Sequence, residues 1–304
     1  MLSVVNYHYI RESFDTKYPS IFGMTNSQFK KQLVLLKGQG DFLNISDFNN
    51  NYESILVSKD NFYLITFDDG LKEQFTNGYS ILNELDLEGY FFLNAVNFKN
   101  KKVTLIHEIH LLRSEIDPKK LLKIIYNKLE FIFSNEEKKR SHKIYRFDDK
   151  ASAEVKYILN FLISEAKKEF LINELFNTYF NEKEVVENLY MNVNQIIELS
   201  KKGMIGNHTF NHKHLGKLNE DELFYEINES KNYLESIINR NINTISYPYG
   251  SEEVFTKKVI NCSKETDHKF GFTTVKGKNL KDDNLLKLKR FDCNDLQGGK
   301  NYEN

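Results

Sequence analysis

The chain has no tryptophan, only two cysteines and only three prolines among its 304 residues. Two cysteines, Cys262 and Cys293, cannot build a disulfide framework. Without a CxxC pair a structural zinc knuckle is excluded as well. Charge of either sign is also missing in excess: Lys+Arg is 42, Asp+Glu is 43, and the formal net charge is −1. A near-neutral chain has no global field to draw in nucleic acid or an anionic membrane, so neither is expected as a partner. No apolar run approaches the ~20 residues that span a bilayer. The start, Met1-Leu2-Ser3-Val4-Val5-Asn6-Tyr7-His8, carries neither a basic region nor a long apolar one. That pattern gives an expectation of no signal peptide and a cytoplasmic location. The apolar share of 40% and charged share of 28% suit a folded globular chain.

What is present is alternation. Leu2 to His8, with the β-branched pair Val4-Val5, is expected as a strand. Thr25-Asn26-Ser27 supplies helix caps before Phe29, Leu33, Leu35 and Leu36, up to Gly38. Phe62 to Thr66 is a short apolar run that halts at Asp68-Asp69-Gly70, as a buried strand does at a loop. A helix bearing Tyr79, Ile81, Leu82 and Leu85 follows, with Gly89 as its expected stop and Tyr90 to Leu93 as the next strand. Strands alternating with helices predict a parallel sheet or barrel.

From about Thr104 to about Tyr190 the pattern is helical throughout, for instance Leu121, Leu122, Ile125, Leu129 and Ile132. It predicts a helical insertion in an α/β domain, or a small second domain. Alternation then resumes. Helices are expected over Asn192–Lys202, Glu222–Ile238 and Val254–Cys262, and strands over Thr244–Tyr247 and Phe270–Val275.

Three polar clusters follow expected strand ends: Thr66-Phe67-Asp68-Asp69-Gly70, His208-Thr209-Phe210-Asn211-His212, and Ser246-Tyr247-Pro248-Tyr249-Gly250. Alternating β/α folds place their sites at such ends. Histidines four apart suit one metal if they share a helical turn, although such pairs more often decorate a surface. An Asp-Asp-Gly run is most often a turn. Here it closes a buried strand, so one carboxylate can ligate a metal while its neighbour serves as a base; a bound cation would relieve their repulsion.

Together these motifs resemble the polysaccharide deacetylase family, the NodB homology domain of carbohydrate esterase family 4. That family carries a T-F-D-D-G first motif and an H-[ST]-x-x-H second motif, matched here by Thr66–Gly70 and His208–His212. Asn6-Tyr7-His8-Tyr9 and Gly203-Met204-Ile205-Gly206-Asn207 also look like family segments. The resemblance covers about residues 1–100 and 190–295. It implies an α/β fold, a distorted (β/α) barrel of the NodB type, over a single catalytic domain (residues 1–304) interrupted by the insertion at about 104–190. It further implies one divalent metal ion, zinc first, held by Asp69, His208 and His212, with Asp68 as general base. The Tyr249 backbone N–H would be the oxyanion donor, and Thr209 would support the site from behind. The implied reaction is hydrolytic removal of an N-acetyl group from a sugar or surface-glycan precursor, with release of acetate.

The sequence departs from that pattern in places. Ser246 stands where the family often has an arginine that pairs with the catalytic aspartate, which leaves open what tunes Asp68. The late Leu-x-His motif that supplies the general acid is missing, and Leu288-Lys289-Arg290-Phe291-Asp292 stands in its place. Arg290 could approach the site, but a guanidinium cannot act as an acid at neutral pH. His8 is the candidate for the missing acid or for substrate contact; a hydrogen-bonded core histidine is its alternative. His107 and His110 lie three apart, not the four of a zincin pattern, and are not expected to bind metal. Lys138-Lys139-Arg140 is expected as a solvated face. Two rival readings remain at this stage: an O-acetyl esterase or other amidohydrolase on the same metal site, and a glycan-binding pseudoenzyme.

Overall fold

A computed structural model of the chain describes residues 1–16, 23–129 and 133–302. Ile132, one of the helical signals, lies outside the described residues. The chain divides into two compact units. The first comprises Met1–Phe14, Phe22–Lys102 and Val186–Asn304, and the second Asp15–Ile21 and Val103–Val185.

The first unit is built on one parallel sheet. Its path strands are β1 (Leu2–Tyr7), β2 (Phe62–Phe67), β3 (Gly89–Leu93), β4 (Ile205–Asn207), β5 (Thr244–Ser246), β6 (Phe270–Phe272) and β7 (Arg290–Asp292). Their order is β7-β1-β2-β3-β4-β5-β6, and the short strand Asp41–Phe42 pairs with β2 beside the path. All of these pairings are parallel. The two ends of the path nearly meet. The Leu288 N–H donates to the Gly271 carbonyl at 2.7 Å, and the Thr273 N–H to the Leu288 carbonyl at 2.8 Å, two residues before β7 begins. The product is a nearly closed parallel barrel with surrounding helices.

Sequence explains the elements. Every residue of β1 is buried, as a parallel strand covered on both faces requires. Side-chain caps start the surrounding helices: Thr25 and Gln28 form a capping box before Asn26–Lys37, and Asn192 and Gln195 do so before Val193–Ser200. Phenylalanine and tyrosine fill the interior. Phe67 and Phe91, on adjacent strands, stack at 4.6 Å, and Phe48 of helix Ile45–Val57 meets Phe270 at 4.6 Å. Each such ring contributes roughly 1.5–3 kcal/mol by leaving water.

Several boundaries differ from expectation. Gly89 is the first residue of β3 and does not end the preceding helix. That helix stops at Glu84, and Asp86 takes the left-handed conformation (φ 55°) two residues on. Aspartate tolerates this conformation through its short polar side chain. Before the expected helix at Val254, a turn closes from the Val254 N–H to the Ser251 carbonyl. The helix then runs Lys257–Glu265, with Thr256 extended at its N-cap. Strand β6 ends at Phe272, because Thr273 turns its N–H to Leu288.

The second unit is helical. Helix Leu105–Glu115 packs on Glu165–Tyr179, and Lys150–Tyr157 packs on both Pro118–Leu129 and Asn135–Ile144. Its buried side chains include Leu112, Leu121, Ile125, Ile158, Leu171 and Phe176. Residues 186–190, expected with the insertion, fall in the first unit, where Leu71 and Tyr190 bridge. Among the described residues, no helix is long and apolar enough to cross a membrane.

Candidate metal and catalytic site

The carboxyl ends of β2, β4 and β5 carry the three polar clusters, and the barrel brings them together. After β2 the chain turns sharply at Asp69 (φ 81°) and Gly70 (φ 64°). The left-handed φ of Gly70 is one that side-chain-bearing residues rarely adopt, which favours glycine in this turn. The Gln74 amide holds the turn from below, donating to the carbonyls of His8 (2.9 Å) and Asp68 (2.5 Å).

His208 and His212 do not share a helical turn, contrary to the spacing argument. They lie on an irregular loop leaving β4, with left-handed φ at Thr209 (65°) and His212 (59°). The strand register explains why. The His208 N–H still pairs with the Leu93 carbonyl of β3 at 2.8 Å, so the chain is extended until it bends at Thr209. Tyr249 (φ 63°) completes the set: four of the eight non-glycine residues with left-handed φ among the described residues sit here. Such conformations cost about 1–3 kcal/mol each and cluster at functional sites.

The ligand geometry suits a metal. Asp69 Oδ1 lies 3.4 Å from His208 Nε2 and 3.4 Å from His212 Nε2. Tetrahedral bonds of ~2.1 Å put neighbouring donor atoms about 3.4 Å apart. The potential ligand atoms of the three residues all lie within 4.8 Å of one another. His208 donates its Nδ1–H to the Ser246 carbonyl at 2.7 Å, which leaves the Nε2 lone pair facing Asp69. The electrostatics also favour a cation. Burial opposes a charged His208, yet the fields of Asp68 and Asp69 raise its pKa above the usual histidine value. Among the described residues this is the one group of three or more such side chains placed to share an ion. His107 instead contacts Thr104 Oγ1 through Nδ1 at 3.0 Å, on helix Leu105–Glu115.

Asp68 has the partner that Ser246 failed to supply. The Arg290 guanidinium, from β7, forks onto it, with Nη1 to Oδ1 at 2.9 Å and Nη2 to Oδ2 at 2.8 Å. Arg290 also donates from Nε to the Thr273 carbonyl (2.7 Å), from Nη1 to Thr66 Oγ1 (3.3 Å) and from Nη2 to Ser246 Oγ (3.0 Å). All five of its N–H donors are thereby used. Burial pushes the Asp68 pKa up, but Arg290, with help from His208 and His8, holds it well below the usual carboxylate range. Asn6 Nδ2 donates to Asp68 Oδ2 at 3.1 Å. Three of about four acceptor positions on this carboxylate are then filled, and the fourth is on Oδ1. Sequence reasoning weighed Arg290 only as an acid and missed this pairing. A signal existed in the small Ser246, which leaves room for a guanidinium, together with a late-strand arginine.

The remaining expected residues converge on the same place. His8 Nε2 lies 4.0 Å from Asp69 Oδ2, with its side chain about one-third exposed, so His8 is not a core histidine. Thr209 is buried in the loop between the two histidines. The Tyr249 ring packs T-shaped against His212 at 5.0 Å and stacks on His214 at 5.9 Å. The next residue, Gly250 (φ 55°), abuts Thr274: a Cβ there would sit 2.6 Å from the Thr274 backbone nitrogen.

An all-parallel, nearly closed barrel with this cluster at its carboxyl ends is the NodB-type (β/α) barrel of the deacetylases. Comparison with known proteins agrees. The polysaccharide deacetylase family model matches residues 136–271, which include His208, His212 and Ser246–Gly250 but not Thr66–Gly70. No curated protein matches the chain in sequence. Among solved structures, a Streptococcus pyogenes deacetylase, PplD in complex with acetate, superposes with a TM-score of 0.59 at 17% identity, covering 96% of this chain and 91% of that one. IcaB from Ammonifex degensii does so with 0.57 at 14% identity, covering 97% and 93%. A de-N-acetylase from Aggregatibacter actinomycetemcomitans gives 0.58 at 13% identity, covering 96% and 95%. The resemblance carried by the two motifs is therefore borne out as a resemblance: part of the chain matches the polysaccharide deacetylase family model, and its fold is shared with solved deacetylases.

Proposed function

We propose that the protein is a metal-dependent hydrolase that removes N-acetyl groups from an N-acetylated sugar or surface-glycan precursor and releases acetate. The observation that carries this reading is the convergence of Asp69, His208 and His212 beside an arginine-clamped Asp68. Zinc suits the ligand set, one carboxylate and two imidazoles with Nε2 directed inward. When bound it would supply Lewis acidity toward an acyl carbonyl and a water.

The chain's own groups do the rest. Asp68 stays ionised and fixed in orientation, and its open position on Oδ1 accepts a proton from the water that attacks the acetamide carbonyl. Negative charge develops on the acyl oxygen, and the Tyr249 N–H donates to it. One such donor is worth roughly 3 kcal/mol. An amide nitrogen leaves poorly as an anion, so it must be protonated. His8, accessible beside Asp69, delivers that proton from Nε2. The sugar-facing surface includes the half-exposed Tyr249 ring. The partner is thus a carbohydrate, and nothing in the charge balance calls for nucleic acid.

The test is acetate release from N-acetylated and O-acetylated sugars side by side, with zinc-loaded and chelator-stripped protein. Release from the N-acetyl substrate that needs zinc and is lost in Asp68→Asn supports the reading. Release from the O-acetyl substrate alone would make the protein an esterase. No release from either, with zinc demonstrably bound, would overturn a hydrolytic role.

A further inference from the structure

The loop that carries both histidines is held on one side by residues 94–96, whose Asn94 amide and Ala95 and Val96 N–H groups donate to its carbonyls, and on the other by an interruption in a neighbouring helix. That helix runs Glu220–Phe224, widens into a π turn over Tyr225–Glu229, and resumes over Ser230–Ile238. Mid-helix π turns are rare and are frequent at functional sites. Here the widened turn offers two consecutive carbonyls to partners outside the helix. The Glu226 carbonyl accepts the Phe210 N–H at 2.9 Å, and the Ile227 carbonyl accepts Asn207 Nδ2 at 2.9 Å.

The Glu226 side chain continues the grip. It is 2% exposed, and its carboxylate accepts the Asn211 N–H at 2.7 Å on Oε2 and Asn211 Nδ2 at 2.6 Å on Oε1. Asn207 passes the constraint onward, accepting the Thr209 N–H on Oδ1 at 2.9 Å. Residues 207, 209, 210 and 211 are therefore all held from this one turn, directly or through Asn207. His208 lies within the segment so held, and His212 directly follows it. Thr209 within it and His212 just after it have left-handed φ, a conformation that costs about 1–3 kcal/mol and persists where the surroundings hold it. A charged hydrogen-bond acceptor is about twice as strong as a neutral one, which suits the holding of a strained segment.

We propose that Glu226, presented by the π turn, is a positioning residue for the His208–His212 metal-ligand pair, acting through Asn211. This rests on the metal reading of the site given above. Glu226 touches no substrate and no metal. Its effect is to keep two imidazoles at the spacing one ion requires before the ion arrives.

The experiment measures zinc affinity of the full chain by chelator competition, at a temperature where every variant is folded. Residues that orient metal ligands from behind typically change affinity 10–100-fold when removed, and Glu226→Ala is expected to weaken zinc binding by about that factor. Glu226→Gln keeps an acceptor for the Asn211 N–H but loses the charge, and is expected to fall between, roughly threefold to tenfold weaker than the parent. Leu234→Ala, which opens a cavity in the same helix, is the control for plain stability. It should lower the melting temperature and leave zinc affinity unchanged. Equal zinc affinity in the parent and Glu226→Ala would overturn the inference, as would an equal loss in Leu234→Ala. If Glu226→Ala does not fold, Glu226→Gln decides: parental affinity there refutes the role. A parent that binds no zinc would instead refute the metal reading itself, and this inference with it.

Discussion

Arg290 offers the sharpest test of the site's electrostatics. It is 2% exposed and Asp68 is 3% exposed, so each is a buried charge that depends on the other. Replacing Arg290 by Leu leaves an unpaired carboxylate in the barrel. It also strands the Thr273 carbonyl, which loses the Nε donor. Breaking one side of such a pair costs about 3–5 kcal/mol. For a cooperative unit of this size that corresponds to a fall in melting temperature of about 6–10 °C. The decisive measurement is a double-mutant cycle. Asp68→Asn alone leaves Arg290 unpaired and should be costly too. In the double variant neither member of the pair is charged, so Asp68→Asn should recover about 2 kcal/mol or more of the loss seen in Arg290→Leu. Thermal and denaturant unfolding of the metal-free proteins gives all four values. A loss below about 1 kcal/mol in Arg290→Leu, or strictly additive losses, would show that the pair is not the electrostatic unit described here. Activity should fall in every member of the cycle, because Asp68 is either reoriented or removed.

Three further outcomes are expected. His268, buried and facing Lys231, has its pKa pushed down to about 3, by burial first and then by Lys231, so it stays neutral in the fold while the unfolded chain protonates near pH 6.5. The unfolded state then binds the extra proton below that pH, and stability falls as pH falls; between pH 6.5 and 4.5 this costs about 2–3 kcal/mol, and His268→Gln should be less acid-sensitive by that amount in denaturant titrations. Gly250→Ala forces a Cβ against the Thr274 backbone at a left-handed φ, and should cost roughly 1–3 kcal/mol while lowering kcat, because the displaced loop carries the Tyr249 N–H; unchanged kinetics would count against that N–H as a donor. Zinc at a hundredfold over its dissociation constant should add about 2.7 kcal/mol of stability, a rise of about 5 °C by calorimetry that Asp69→Asn abolishes.

The parts of this protein that sequence determines are the local ones. The apolar runs at Leu2–Tyr7, Phe62–Phe67 and Gly89–Leu93 are strands because each is long enough to be buried on both faces and is bounded by turn residues. The clusters at Asp68-Asp69, His208–His212 and Pro248–Gly250 are legible as candidate site residues because they follow such strands, and in a parallel sheet all strand ends of one polarity point the same way. Tertiary structure decided the rest. It made a bent loop of the segment expected as a helical turn, because the ladder from Leu93 keeps His208 extended. It also chose the partner of Asp68. Arg290 lies 222 positions away, and only the placement of β7 beside β1 brings its guanidinium under β2. No periodicity encodes that distance. A buried carboxylate demands a cation, but its sequence does not say which strand will provide one.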